Sequence, residues 1–193
     1  MGMFNFKKKF KASLLKPVKG QIWGMFFSNP LIGIETSFFY QMSIELEPFE
    51  YDGETENTEI MLDFISMPAR SYSELNNHTF TFPVNPEKGY IDGSIYISTM
   101  HNPFSVTEIH FYQANKTCIS ARLKGTLYFE DESIEPTELS FESQLVYDDI
   151  IIHCDKLKSL NDDQLMENIK KMIDLQYYSY DPASKHFKWK PVS

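Results

Sequence analysis

The sequence predicts an α+β fold of mostly antiparallel β structure: a curved sheet or sandwich of about eight to nine strands, with one helix over residues 161–176. Three observations carry this reading. Residues 77–154 alternate polar and apolar side chains, segment after segment, as strands with one buried and one wet face do. Sixteen Phe and eleven Tyr enrich the chain in side chains that suit a pleated, half-buried surface. A single helix start is clearly written, at Asn161.

Taken from its start, the chain divides into a basic segment, 1–19, and a single globular β-rich domain, 20–193. Phe6, Phe10 and Leu14 recur every four residues, which suits a short amphipathic helix over 3–16 that Pro17 would close. Its aromatics are expected to tuck against the domain rather than to anchor a membrane. Residues 21–27 suit a buried strand, and Asn29-Pro30 a turn. In 37–47, Tyr40, Met42, Ile44 and Leu46 point one way; in 58–66, Ile60, Leu62 and Phe64 are expected inward. Asp52-Gly53 between them is a hairpin-turn dipeptide.

Residues 67–77 read as a surface loop, and a meander follows. Its strands are 78–83, 90–99 and 104–113, with 101–103 as a turn, and then 117–130. In that last strand Ile119, Ala121, Leu123, Gly125, Leu127 and Phe129 share a face. Residues 138–147 return with Leu139, Phe141, Leu145 and Tyr147 inward, and 150–154 continues past a bulge at Asp148-Asp149. Asn161 with Gln164 makes a capping box, Leu160 with Leu165 a hydrophobic staple, and Leu165, Ile169, Met172 and Ile173 the buried stripe. Trp189 is the residue expected to pin the tail.

The net charge of −9 is unevenly spread. Lys7, Lys8, Lys9, Lys11, Lys16 and Lys19 open the chain, and no Lys or Arg follows until Arg70. One acidic block holds Glu45, Glu47, Glu50, Asp52, Glu54, Glu56, Glu59 and Asp63. A second holds Glu130, Asp131, Glu132, Glu135, Glu138, Glu142, Asp148, Asp149 and Asp155. Setting phosphates against these carboxylates is unfavourable, so the acidic body is not expected to bind nucleic acid. No run of roughly 18–20 apolar residues is long enough to cross a bilayer as a helix. No apolar stretch follows the first lysines as in a signal peptide. Phe6 stands where a myristoylation start wants Ser or Thr. Elimination points to the cytoplasm, where Cys118 and Cys154 are expected as buried free thiols.

Catalytic signals are absent. Neither phosphate-binding glycine pattern nor the nucleophile elbow occurs, and no cofactor is expected. The five histidines are dispersed; His110 and His153, with Glu108 or Asp155, are the nearest to a metal-ligand set, and no metal site is expected. His153 and Cys154 are adjacent on a strand and so point to opposite faces, which denies them a catalytic dyad. The acids of 52–59 lack the spacing of a calcium loop.

The remaining signal is charge on a surface. Glu50, Asp52, Glu54 and Glu56 from one block, with Asp131 and Glu132 from the other, each lie near a β-turn and are the candidate partner-binding residues. The reading is a non-catalytic cytosolic protein-binding module, in its sharpest form an inhibitor or immunity-type protein whose acidic face blocks a basic protein such as a nuclease or another toxin. The alternative is a β-barrel or sandwich holding a small apolar ligand among inward aromatics.

Overall fold

The computed structural model describes residues 8–190. Its strands are β1 (Lys8–Lys9), β2 (Pro17–Asn29), β3 (Ile34–Leu46), β4 (Phe49–Tyr51), β5 (Glu54–Glu56), β6 (Glu59–Ile65) and β7 (Thr79–Thr81). There follow β8 (Asp92–Ile97), β9 (Met100–Tyr112), β10 (Cys118–Leu127), β11 (Ile134–Glu135), β12 (Thr137–His153), β13 (Tyr178–Asp181) and β14 (His186–Trp189). Two α-helices, α1 (Asp155–Lys158) and α2 (Asp162–Ile169), lie between β12 and β13. The strand-rich, mostly antiparallel fold is the one the alternation predicts.

Ten strands form one curved sheet in the order β10-β9-β8-β6-β3-β2-β12-β14-β13, with β7 beside β9, and a further β10–β12 pairing returns the ladder to its start. The long strand β12 makes that closure possible. Its first part runs antiparallel to β10, from Thr137 opposite Leu127 to Val146 opposite Cys118. Its last part runs parallel to β2, from Leu145 opposite Gly20 to His153 opposite Phe27. The register shift between Tyr147 and Ile150 is the bulge expected at Asp148-Asp149. Ile22, Phe26, Met42, Ile44, Ile60, Leu62, Ile95, Ile119, Leu123 and Leu145 are fully buried along the strands.

Local details refine the sequence reading. Phe64 does not point inward: a shift between Tyr40 and Met42 places Ile65 opposite Tyr40, and Phe64 takes a φ of 57° and packs outside against Phe27 and Phe39. The alternation of β9 is irregular because Thr107 is an extra residue; Glu108 faces Lys124 while Val106 faces Gly125. Residues 101–103 already belong to β9, and the turn is Ser98-Thr99, with φ of 50° and 64°. No helix covers the described part of 3–16: Lys8–Lys9 is extended and Ala12–Leu14 is a single 3-10 turn. Residues 1–7, with Phe6, lie outside the described residues.

The capping box at Asn161 forms as predicted, each partner bonding the other's backbone N–H. The helix, however, ends at Ile169 rather than near Gln176. Met172 and Ile173 turn back to the Ile169 carbonyl, and the Arg70 guanidinium takes the carbonyls of Lys170 and Ile173. A cation on these terminal carbonyls favours stopping the helix there. Leu165, Ile169 and Ile173 still bury their stripe.

One cross-strand pair opposes the fold. Asp63 on β6 faces Asp92 on β8. Burial, then the Asp92 charge, raises the Asp63 carboxyl above its ordinary range. Between the unfolded value near 4 and that raised value the folded state holds more protons, so stability from this group falls as pH rises through the window. Asp63→Asn is therefore expected to stabilise the protein at pH 7 by roughly 0.5 kcal/mol, the scale of a like-charge cross-strand pair. Urea denaturation should show the gain shrinking as pH is lowered toward 4; an equal gain at both pH values would contradict this origin.

Candidate partner-binding surface

The first acidic block turns on Asp52-Gly53. Both residues have positive φ, 48° and 87°, as a two-residue hairpin turn of the I′ type requires. The hairpin is its own two-stranded sheet, with Phe49 opposite Glu56, Glu50 opposite Thr55 and Tyr51 opposite Glu54. Strand alternation puts Phe49 and Tyr51 on one face and Glu50 on the other, where its carboxylate accepts the Thr55 hydroxyl proton. Glu56 is committed elsewhere. Its Oε1 accepts the backbone N–H and hydroxyl of Ser98, both at 2.9 Å, and so holds the β8–β9 turn.

Glu130, Asp131 and Glu132 of the second block lie in the link from β10 to β11; its other acids lie on β11, β12 and α1. Buried Asn102 fixes the link: its Oδ1 accepts the Glu130 N–H at 3.2 Å, while its Nδ2 donates to the carbonyls of Ile95 and Met100. Asp131 folds onto Ser133, accepting its N–H at 2.8 Å. The Ser133 hydroxyl and N–H, with a smaller contribution from the Lys8 charge, hold the Asp131 carboxyl below its ordinary range. Glu132 is exposed beside it.

The hairpin and this link meet across Phe10. Its ring, 7% exposed, lies 5.5 Å from Tyr51, 6.5 Å from Phe49 and 5.0 Å from Phe129. The preceding residues form β1, which pairs parallel to β11, with the Lys8 N–H on the Ser133 carbonyl at 2.7 Å. Lys9 approaches Glu135 at 3.7 Å. Burial, then the charges of Asp52, Asp131 and Glu56, raises the Tyr51 phenol. Carboxylates far apart in sequence thus act on one side chain. Phe10 tucks against the domain as expected; which rings receive it, and the role of Asn102, depend on long-range pairings that leave no local pattern.

The other chemical candidates are not assembled. No group of three or more His, Cys, Asp or Glu placed to hold a metal occurs among the described residues. Thr79 bonds His110, whereas His153 ends β12, roughly 35 Å along the strand from Glu142, the residue level with His110. Both cysteines are buried and unpaired. Burial raises the Cys154 thiol, yet hydrogen bonds with the Ser28 and Thr36 hydroxyls and the Leu157 N–H bring it below the ordinary thiol range. At 1% exposure it is closed to a substrate.

Buried Phe26 packs against half-buried Phe38 at 5.2 Å and buried Phe187 at 6.2 Å. Two open grooves lie elsewhere, one lined by Lys19, Ser43, Glu45 and Glu59, the other by His153, Lys158, Lys185 and His186. No helix among the described residues is long and apolar enough to cross a membrane. Comparison with protein-family models, curated proteins and solved structures found no match.

Proposed function

We propose that this protein is a non-catalytic protein-binding module, in its sharpest form an inhibitor or immunity-type protein, that presents an acidic face to a basic protein partner. The observation that supports the reading is that the Asp52-Gly53 hairpin and the β10–β11 link, which carry these acids, pack against the same Phe10 ring. Asp52, Glu54 and Glu132 are exposed beside this junction, and Glu50 is exposed on the opposite face of the hairpin; Asp131 shapes its loop, and Glu56 holds the neighbouring β8–β9 turn. Clustered carboxylates speed encounter with a cationic surface and repel polyanions.

The experiment is capture by the tagged chain from its native host at low and at moderate salt. A basic protein retained at low salt and released at moderate salt is expected, since exposed charges are screened within about 10 Å at 0.1 M salt. Retention unaffected by salt would count against an electrostatic face. A rise in melting temperature with apolar compounds, and no salt-sensitive partner, would favour a ligand carrier instead.

A further inference from the structure

We propose that Lys8–Phe10 is an internal strap that occupies a binding socket for a basic-aromatic peptide strand, so that a partner inserting such a strand must displace it. The inference deepens the acidic-face reading by naming the chemistry that the face accepts.

The strap is weakly held. Among the described residues its ladder with β11 spans Lys8–Lys9, both exposed, and its ion pair to Glu135 is exposed. Exposed pairs of this kind contribute little. Phe10 is the one side chain of the three that is buried. The next firm anchor is Leu15, 6% exposed, just before β2. A segment with one buried side chain and few backbone bonds opens well below the cost of global unfolding.

What the strap leaves behind is specific. Phe49 and Tyr51 from the hairpin and Phe129 from the β10–β11 link form the ring socket. β11 pairs with β1 alone among the described residues, so opening frees its edge for another strand. Asp131 and Glu135 lie where two cationic side chains precede the aromatic ring. The occupant that fits is an extended segment of two Lys or Arg followed by Phe or a similar ring, as in the strap itself.

The test uses the full chain and a labelled peptide copying residues 5–13, followed by fluorescence anisotropy. Phe10→Ala removes the anchor and is expected to bind the peptide saturably, more weakly as salt rises. The wild-type chain should bind at least about tenfold more weakly, as a strap closed in nine molecules of ten dictates. A peptide in which Phe10 is alanine should fail to bind either chain. Should Phe10→Ala lose its cooperative melt, the full chain carrying Phe10→Leu replaces it, since that variant weakens the anchor, leaves the surface charge unchanged and keeps every socket ring. Equal binding to wild type and loosened chain, or none to the loosened chain, overturns the strap. Neither result bears on salt-sensitive capture of a basic protein, so the two readings can fail separately.

Discussion

Tyr72→Ala is expected to cost about 4 kcal/mol of unfolding free energy, the scale of deleting a fully buried aromatic ring. Tyr72 stands in a 3-10 turn, Tyr72–Leu75, yet none of its surface is exposed. Its ring stacks on Tyr147 of β12 at 4.7 Å and meets Trp189 of β14 at 5.1 Å, Tyr40 of β3 at 5.9 Å and Tyr178 of β13 at 6.0 Å. Its hydroxyl donates to the Asp148 carbonyl at 2.8 Å, beside the β12 bulge. One side chain thus joins the C-terminal hairpin to the sheet. Trp189 completes the arrangement by donating its indole N–H to the Lys116 carbonyl at 3.0 Å, which is the pinning of the tail that the sequence suggests. Tyr72→Phe keeps the ring and should cost only about 1 kcal/mol, the worth of one hydrogen bond. Urea denaturation of the two variants separates ring from hydroxyl. A loss under about 1 kcal/mol for Tyr72→Ala would show that the hairpin holds without this side chain.

Gly125→Ala is expected to cost about 2–3 kcal/mol, at the upper end for overpacking. A Cβ at Gly125 would run into the backbone of Ser105 and Val106 on β9, and one at Gly93 on β8 would run into the Phe104 carbonyl. Glycines on both flanking strands therefore let β9 approach closely at its irregular register. Backbone cannot swing aside as a flexible side chain can, so the strain should appear in full. Gly53→Ala is the contrast: nothing lies within 4 Å, and only its φ of 87° opposes a side chain, a cost of roughly 1–2 kcal/mol. Thermal melts of the two variants should rank Gly125→Ala as the more damaging. The reverse order would mean that β9 yields at this point.

Strand identity was legible where one face is buried and the other wet, as in Ile119 to Leu127 or Tyr40 to Leu46. Closure of the sheet was not. It depends on β12 serving β10 with one part and β2 with another, and nothing in 137–153 marks a change of partner or a parallel pairing. Phe64 departs from the alternation for a related reason: one extra residue reverses facing, and bulges carry no reliable apolar signature. The helix start was readable because its capping residues are local, while its end depends on Arg70, distant in the chain. In the candidate face the turn at Asp52-Gly53 and the exposed acids were readable. That Phe10 tucks against the domain was readable too, but not that its socket joins the hairpin to the β10–β11 link, since nothing local names the rings it meets.

The most direct test of the acidic face is to reverse four charges and measure one affinity. Glu50, Asp52, Glu54 and Glu132 are changed together to lysine; Glu56 and Asp131 stay, because their carboxylates hold Ser98 and Ser133. Binding of the captured basic partner is then compared at low salt, with the melting temperature checking that the fold is kept. The acidic-face account predicts at least a hundredfold loss of affinity, about 2.7 kcal/mol, and a flattened salt dependence. A folded variant that binds every captured partner as tightly as the wild type would contradict it.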